Sequence, residues 1–461
     1  MLNKNDIVNL TIEGMTHNGS GVGKINGFAV FVPFTAVGDE IKARILKVNK
    51  NYAFGKIEEI ITPSESRIEP DCETNVRCGG CTYRHISYEE ELRVKRERVK
   101  DAFKKIGGMD ITVLPVIPCE NITGYRNKAQ FPVKTGENGE VDIGFFALRS
   151  HEIINVDNCA IQSPVFAEIV RVFRQWIKEN DISIYNEQTG NGLLRHIYLR
   201  QGFYTGQIMV CAVINGYNLP HSQSLIDLLT KAEPNIKSIV LNINKKSTNV
   251  ILGDSCKAIW GSDKIEDNLN GIRFLISPLS FYQVNPAQTV KLYEKAIELA
   301  GLDGTQTVLD LYCGIGTISL FMAGKAKEVY GVEIVEEAVK DAQENTKLNG
   351  ITNAQFFTGD AFKAAAVLAE KGIRPQVLVL DPPRKGIEPQ LIDLIAEMSP
   401  EKIVYVSCDS ETLARDVRLF SEKGYKTNTA FPVDMFPRTP HVECVVLMSR
   451  VKECVCEKPI K

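Results

Sequence analysis

No stretch of the 461-residue chain approaches the ~18 consecutive apolar residues of a membrane span, and the opening MLNKNDIVNL contains no apolar signal core. A cytoplasmic protein without a membrane partner is therefore expected. Neither sign of charge predominates, since 54 Lys and Arg against 57 Asp and Glu leave a net charge of −3. That excludes a uniformly basic coating protein, so any nucleic-acid contact must come from local basic surface. Twelve cysteines are too sparse for a disulfide scaffold, and in a reducing compartment clustered thiols bind metal or do chemistry. Internal repeats and low-complexity segments are missing as well. What remains, with 44% apolar residues, is a globular chain long enough for about three domains of roughly 150 residues, a monomer by default.

Residues 1–62 alternate as strands do, through IVNLTI, FAVFVPF, EIKARILKV and FGKIEEI, and predict a small all-β barrel. The turn from His17 to Lys24 carries one Lys beside backbone free to take positive φ. A proline-containing connector, Pro63 to Pro70, sets a boundary near 62. YEEELRVKRERVKDAFKK, residues 88–105, has a helical pattern, and its basic residues Lys95, Arg96, Arg98, Lys100, Lys104 and Lys105 read as a solvated face. Short strands such as KAQFPVKT, RHIYLRQGF and QIMVCAVI make residues 63–270 a second, β-rich domain. From 271 to 452 strands alternate with helices, which predicts a parallel α/β sheet. Residues 453–461 form a tail with exposed thiols at Cys454 and Cys456. The fold class is thus multidomain α+β.

Cys72, Cys78 and Cys81 fall within ten residues around Gly79 and Gly80, with Cys159 as the fourth member of the set. Four thiolates at such spacing suit zinc or an iron–sulfur cluster equally, the alternative being unligated buried cysteines.

In TVLDLYCGIGTISL an apolar strand ends near Asp310 to Tyr312, glycines 314 and 316 follow, and a helix begins. The third glycine that would seat a pyrophosphate is missing, so a nucleoside with an amino-acid tail fits better than a dinucleotide. Glu333 closes the next strand, where a carboxylate can accept hydrogen bonds from both ribose hydroxyls. Together these point to S-adenosylmethionine. Asp360 is placed either against the adenine or as a helix N-cap. Two prolines after Asp381 hold its carboxylate rigidly at the ligand-binding edge of the sheet.

KIVYVSCDS delivers Cys408 to the same edge as Gly314, Glu333 and Asp381, and HVECVVL starts a final strand with Glu443. A thiol with a carboxylate beside a methyl donor suits one reaction in particular. Uracil C5 is too poor a nucleophile to take a methyl group directly, but thiolate addition at C6 makes an enolate whose C5 can, after which a base removes the C5 proton. An amino-group methyltransferase using Asp-Pro-Pro, or a non-catalytic RNA-binding iron–sulfur sensor, would leave Cys408 or Glu443 without a task.

In order along the chain, CETNVRCGGC with Cys159, SFYQVN, DLYCGIGT, GVE, DPPRKG, VSCDS and HVECV make the protein resemble the bacterial RNA uracil-5-methyltransferases, especially the ribosomal-RNA type with an N-terminal TRAM barrel. The resemblance implies a TRAM/OB-like barrel, a central β-rich iron–sulfur domain and a Rossmann-like α/β methyltransferase domain. It implies a [4Fe-4S] cluster on Cys72, Cys78, Cys81 and Cys159, and an S-adenosylmethionine site including Gln283, Tyr312, Glu333 and Asp381. Cys408 would be the nucleophile, Glu443 the proton acceptor, and Phe281 a support for the extruded uracil. The expected partner is RNA, with 23S rRNA favoured over tRNA because the bacterial tRNA enzyme usually lacks barrel and cluster. In such proteins the helix near 88–105 tends to pack with the catalytic domain.

Overall fold

The computed structural model describes residues 2–136, 138–148 and 150–451, so Cys454 and Cys456 lie outside the described residues. The chain forms two compact units. One is built from the residues up to Lys95, Pro118–Ala287 and Met435–Pro440, the other from Arg96–Ile117, Gln288–Asp434 and the residues from His441 onward.

The first unit opens with a closed barrel of Ile7–Met15, Gly21–Ile25, Phe28–Val32, Tyr52–Thr62 and Glu40–Val48. Period-two alternation turns Leu10, Ile12, Val30, Val32, Ile41, Ala43 and Ile45 inward to one core. Bulges in the pairing of Glu40–Val48 with Tyr52–Thr62 supply the bend that closure requires. Lys24 lies on the strand Gly21–Ile25 rather than in the turn, ion-paired with Glu13 at 3.5 Å.

The same unit holds a seven-stranded sheet, in the order Ser255–Gly261, Ile236–Ile243, Ile208–Ile214, Leu194–Gln201, Lys128–Thr135, Val141–Phe146 and Ile153–Asn155. Two helices, Val165–Glu179 and Ser222–Ala232, contribute to its core. In the first, Phe166, Ile169, Val170, Phe173, Trp176 and Ile177 recur at helical spacing and are buried. The β-rich expectation is met by the strands but misses these helices, whose apolar stripes had the period to reveal them.

In the second unit the sheet runs Ala354–Thr358, Glu328–Glu333, Thr307–Leu311, Val377–Leu380, Lys402–Ser407, Glu443–Arg450, Thr429–Val433 and Thr112–Val113, with Tyr425–Lys426 beside Glu443–Arg450. Its first five strands are parallel and Glu443–Arg450 enters antiparallel. Strand order reverses between Thr307–Leu311 and Val377–Leu380, which opens a ligand crevice outside their carboxyl ends.

The helix predicted over 88–105 is α-helical over Tyr88–Ala102 and relaxes into a π-turn over Phe103–Gly107, ended by Gly108 at φ 65°. Its charges are not all solvated, as the pattern had implied. Lys95 is buried against Glu91 at 2.7 Å and donates to the Phe436 carbonyl. Arg96 donates twice to the Val113 carbonyl, tying helix to edge strand within the second unit.

Candidate active site

The strand Thr307–Leu311 is buried along nearly its whole length, as strands inside a parallel sheet are, and the chain beyond it turns sharply. Tyr312, Gly314 and Gly316 all take positive φ, at 71°, 56° and 81°. A side chain at Gly316 would meet the Phe356 ring at 2.9 Å, so only glycine lets the loop lie this close. The Tyr312 and Cys313 amides donate to the Val332 carbonyl, and the Gly314 amide donates to Glu333 Oε2 at 3.1 Å. Glu333 Oε1 accepts from the Ile334 and Val335 amides at 2.9 and 3.0 Å. The carboxylate is thereby locked in one orientation at the strand end.

Asp310, fully buried, accepts from Ser319 Oγ through Oδ2 at 2.5 Å while Oδ1 has no side-chain hydrogen-bond partner among the described residues, and burial pushes its carboxyl up to about 7. Burial likewise pushes Asp381 up to about 7. Asp360 is exposed and caps Ala361–Glu370, its Oδ1 accepting from the Phe362 and Lys363 amides at 3.1 and 3.2 Å. This is the capping arrangement that its position allowed.

Antiparallel pairing of Lys402–Ser407 with Glu443–Arg450 sets Ser407 opposite Cys444, and Cys408, the next residue beyond the strand, lies near enough to Glu443 to feel its charge. Cys408 is half-buried, and its thiol is pushed up to about 12 by burial, then by the charges of Glu443 and Asp381, with Arg384 opposing. Glu443 is held well above the ordinary carboxylate range by burial and by Asp381, again with Arg384 opposing. The Arg384 cation favours both ionised forms, and it reaches His441 Nε2 at 3.4 Å. Reading the motifs residue by residue did not single out Arg384, Asp310 or His441, although all three sit inside the motifs that carry the resemblance.

The DPPRKG turn is fixed from below by Asp416, which accepts from the Ile387 amide, Tyr405 Oη and Arg415 Nε at 3.1, 2.6 and 2.8 Å. Gly386, at φ 73°, gives that carboxylate its space.

A model of the tRNA (uracil-5-)-methyltransferase family matches residues 87–451, and a TRAM-domain model matches residues 2–57. The chain belongs to the tRNA (uracil-5-)-methyltransferase family. It is similar to an uncharacterized RNA methyltransferase of Clostridium tetani, 49% identical over 446 residues and 97% of each chain, and to one of Halalkalibacterium halodurans, 47% identical over 97% of this chain and 98% of the relative. Among solved structures, the Pyrococcus abyssi tRNA (uracil-54, C5)-methyltransferase in complex with S-adenosyl-L-homocysteine aligns with a TM-score of 0.76 at 30% identity, covering 95% of this chain and 99% of that one. This methyltransferase thus combines a TRAM barrel with a catalytic α/β unit. No described helix is long and apolar enough to cross a membrane.

Not every expected residue of the methyltransferase falls in the catalytic unit. Gln283 and Phe281 belong to the first unit, Gln283 buried with its carbonyl accepting from Asn127 at 3.1 Å, Phe281 62% exposed. Cys72, Cys78, Cys81 and Cys159 are half-buried free thiols, also in the first unit. Burial raises Cys78, Cys81 and Cys159, Cys81 to about 11, and each is raised further by the charge of another member of the four. Among the described residues, no group of three or more His, Cys, Asp or Glu could hold a single metal ion. The central sheet is therefore established as a fold, and an iron–sulfur content is not.

Proposed function

We propose that the protein methylates uracil C5 in RNA, using S-adenosylmethionine. The observation that carries this reading is the closeness of Cys408, just past its strand end, to Glu443 and Asp381, whose charges both act on its thiol. Glu333, fixed by three amides, and the glycine loop fit a nucleoside with an amino-acid tail, and Tyr312, Gly314, Asp360, Asp381 and Gln283 are assigned to the same ligand. When bound, its sulfonium supplies the methyl group. Cys408, as thiolate, forms an S–C6 bond and leaves the electron pair as an enolate whose C5 is then alkylated. Glu443, ionised at that point, takes the C5 proton; the C5–C6 double bond re-forms, the S–C6 bond breaks, and the thiolate is released. Arg384 supports the charge that passes between these two groups. Phe281 is assigned to hold the extruded base.

The four cysteines are assigned to a [4Fe-4S] cluster. Their donor set is all sulfur, and Cys78, Cys81 and Cys159 each feel the charge of another member of the set. On the barrel, Phe31, Tyr52 and Phe54 pack as one ring group, with centroids 5.4 to 5.8 Å apart, a stacking surface for single-stranded RNA.

The target is assigned to 23S rRNA, from the barrel together with the cysteine set. A second reading, tRNA, is favoured by the Pyrococcus abyssi tRNA enzyme aligning over 95% of this chain, barrel-bearing end included. Tritium release from [5-³H]uridine-labelled 23S rRNA and tRNA, with wild type and Cys408→Ala, tests both. Release by the wild type alone supports C5 chemistry and identifies the RNA. Methylation that persists in Cys408→Ala would overturn it in favour of an amine acceptor.

A further inference from the structure

One face of the seven-stranded sheet gathers cations without an anion between them. In the antiparallel pairing of Lys128–Thr135 with Leu194–Gln201, Lys128 stands directly opposite Arg200, so both side chains leave the same face. Arg126, two residues before Lys128, adds a third positive charge. Burial pushes the Lys128 ammonium down to about 8, and the charges of Arg200 and Arg126 push it the same way. Like charges directly opposite destabilise a sheet, so this placement costs the fold stability and calls for a reason. Among the described residues no hydrogen bond or ion pair holds the side-chain nitrogens of Lys128 or Arg126. Both residues are half-buried, and neither has a side-chain nitrogen sealed from solvent, so an anion arriving from outside can reach them.

The hydrogen bonds around these cations say what lies beside them. Arg200, 2% exposed, donates to the Ser277 and Ser280 carbonyls at 3.1 and 2.8 Å, which fixes the chain immediately before Phe281. Asn127, between Arg126 and Lys128, fixes the chain just after it: its amide donates to the Val284 carbonyl at 3.0 Å and its Nδ2 to the Gln283 carbonyl at 3.1 Å. Arg200 is thus occupied by carbonyls, while Arg126 and Lys128 flank the residue that grips the Phe281 segment and keep their donors for another partner. Phe281 itself is exposed. An exposed ring beside uncommitted cations is how proteins hold single-stranded RNA, the ring on a base and the cations on the backbone. A guanidinium fork and an ammonium together suit the several oxygens of one phosphate.

We propose that Lys128 and Arg126 form a phosphate site for the substrate RNA, holding the backbone next to the base that Phe281 receives. The inference rests on the reading that Phe281 holds a base, and not on methyl transfer, which tritium release tests separately.

The experiment titrates the full-length protein, saturated with S-adenosylhomocysteine, with unmodified 23S rRNA and tRNA between about 50 and 200 mM salt. For the RNA that binds more tightly, Lys128→Met, which keeps the apolar stem and removes the charge, should lower the slope of log affinity against log salt by about 0.7, making its deficit about threefold larger at the lower salt. Lys128→Arg should keep the wild-type slope. Because the like-charge conflict is relieved, the melting temperature of Lys128→Met at pH 7 should not fall below that of the wild type. At pH 8 about half of Lys128 is unprotonated, against roughly 0.4% of an ordinary lysine, so acetic anhydride followed by mass spectrometry of digests should mark it, and bound RNA should suppress the mark at least about fivefold. Equal acetylation with and without RNA would overturn the proposal. So would an unchanged slope in Lys128→Met, which together with a lowered melting temperature would make Lys128 a structural residue.

Discussion

Left alone, the Cys408 thiol should be nearly inert, and a cation in the crevice should wake it. With its pKa at about 12, Cys408 is only about one ten-thousandth ionised at pH 8, against roughly a quarter for an ordinary cysteine near 8.5. A more basic thiolate is intrinsically more nucleophilic, which at a Brønsted slope of about 0.45 recovers a factor of roughly 40. Alkylation by iodoacetamide should therefore run on the order of a hundredfold slower than for a free cysteine. A unit positive charge about 5 Å away in an effective dielectric of about 20 favours the thiolate by about 3 kcal/mol, or roughly 2.4 pKa units. S-adenosylmethionine carries that charge and S-adenosylhomocysteine does not, so with no RNA present the first should speed alkylation about twentyfold over the second. The peptide spanning residues 403–415 contains Cys408 and no other cysteine, which makes mass spectrometry of alkylated digests a site-resolved assay. The rate should also climb with pH until it levels off near pH 12. Ordinary reactivity at pH 8 without ligand, or equal rates with the two ligands, would refute the reasoning.

Other outcomes rest on the same geometry. Glu443→Gln should still form the S–C6 adduct but fail to resolve it, so a covalent protein–RNA band should persist on denaturing gels where the wild type shows none. Glu333→Ala removes the acceptor of three amide bonds and, with it, the proposed ribose partner, and calorimetry should show S-adenosylmethionine affinity lowered at least about tenfold. Asp416→Ala leaves Tyr405 Oη and the Ile387 amide unmet in the core, and should lower stability by about 1–3 kcal/mol in thermal unfolding. In the barrel, burial pushes Asp39 up, but Arg67 and the Ala36 and Ser64 amides outweigh it and hold its carboxyl below the ordinary 3.8. Its contribution is therefore present above that pH and lost as pH falls through the lowered value, and Asp39→Asn should flatten the fall in melting temperature below about pH 4.

The parts legible in the sequence were those with short-range causes. The strand ending before Tyr312, the acidic end of Glu328–Glu333 and Pro382-Pro383 after Asp381 each declare themselves within about a dozen residues, and the edge they build was foreseeable. Asp360 carried two readings because one residue type serves as cap and as ligand, and only its hydrogen bonds to Phe362 and Lys363 show the cap. Lys95 escaped because burial of a lysine depends on a partner: Glu91 one turn away was visible, but the Phe436 carbonyl that also accepts a hydrogen bond from it comes from a distant segment. The role of Arg384 depends likewise on the two strand ends it stands between. The helices Val165–Glu179 and Ser222–Ala232 went unread for a different reason: their apolar residues recur at helical spacing, but the short strands on either side drew the whole segment to a β reading.

The small strand Thr112–Val113 has a consequence for how the catalytic unit can be made. It pairs with Thr429 and Ala430, over 300 residues later, and Val99, Phe103 and Val113 enter the same core as Leu413 and Phe420. Closing so long a loop is slow and gains nothing until its far end arrives. On the ribosome, residues 96–117 therefore emerge early and wait, with apolar side chains exposed, while the whole central sheet is synthesised and folds. A fragment starting at residue 271 would lack this edge altogether, so the methyltransferase fold is not a detachable C-terminal module but a structure completed by a piece of chain that was made first.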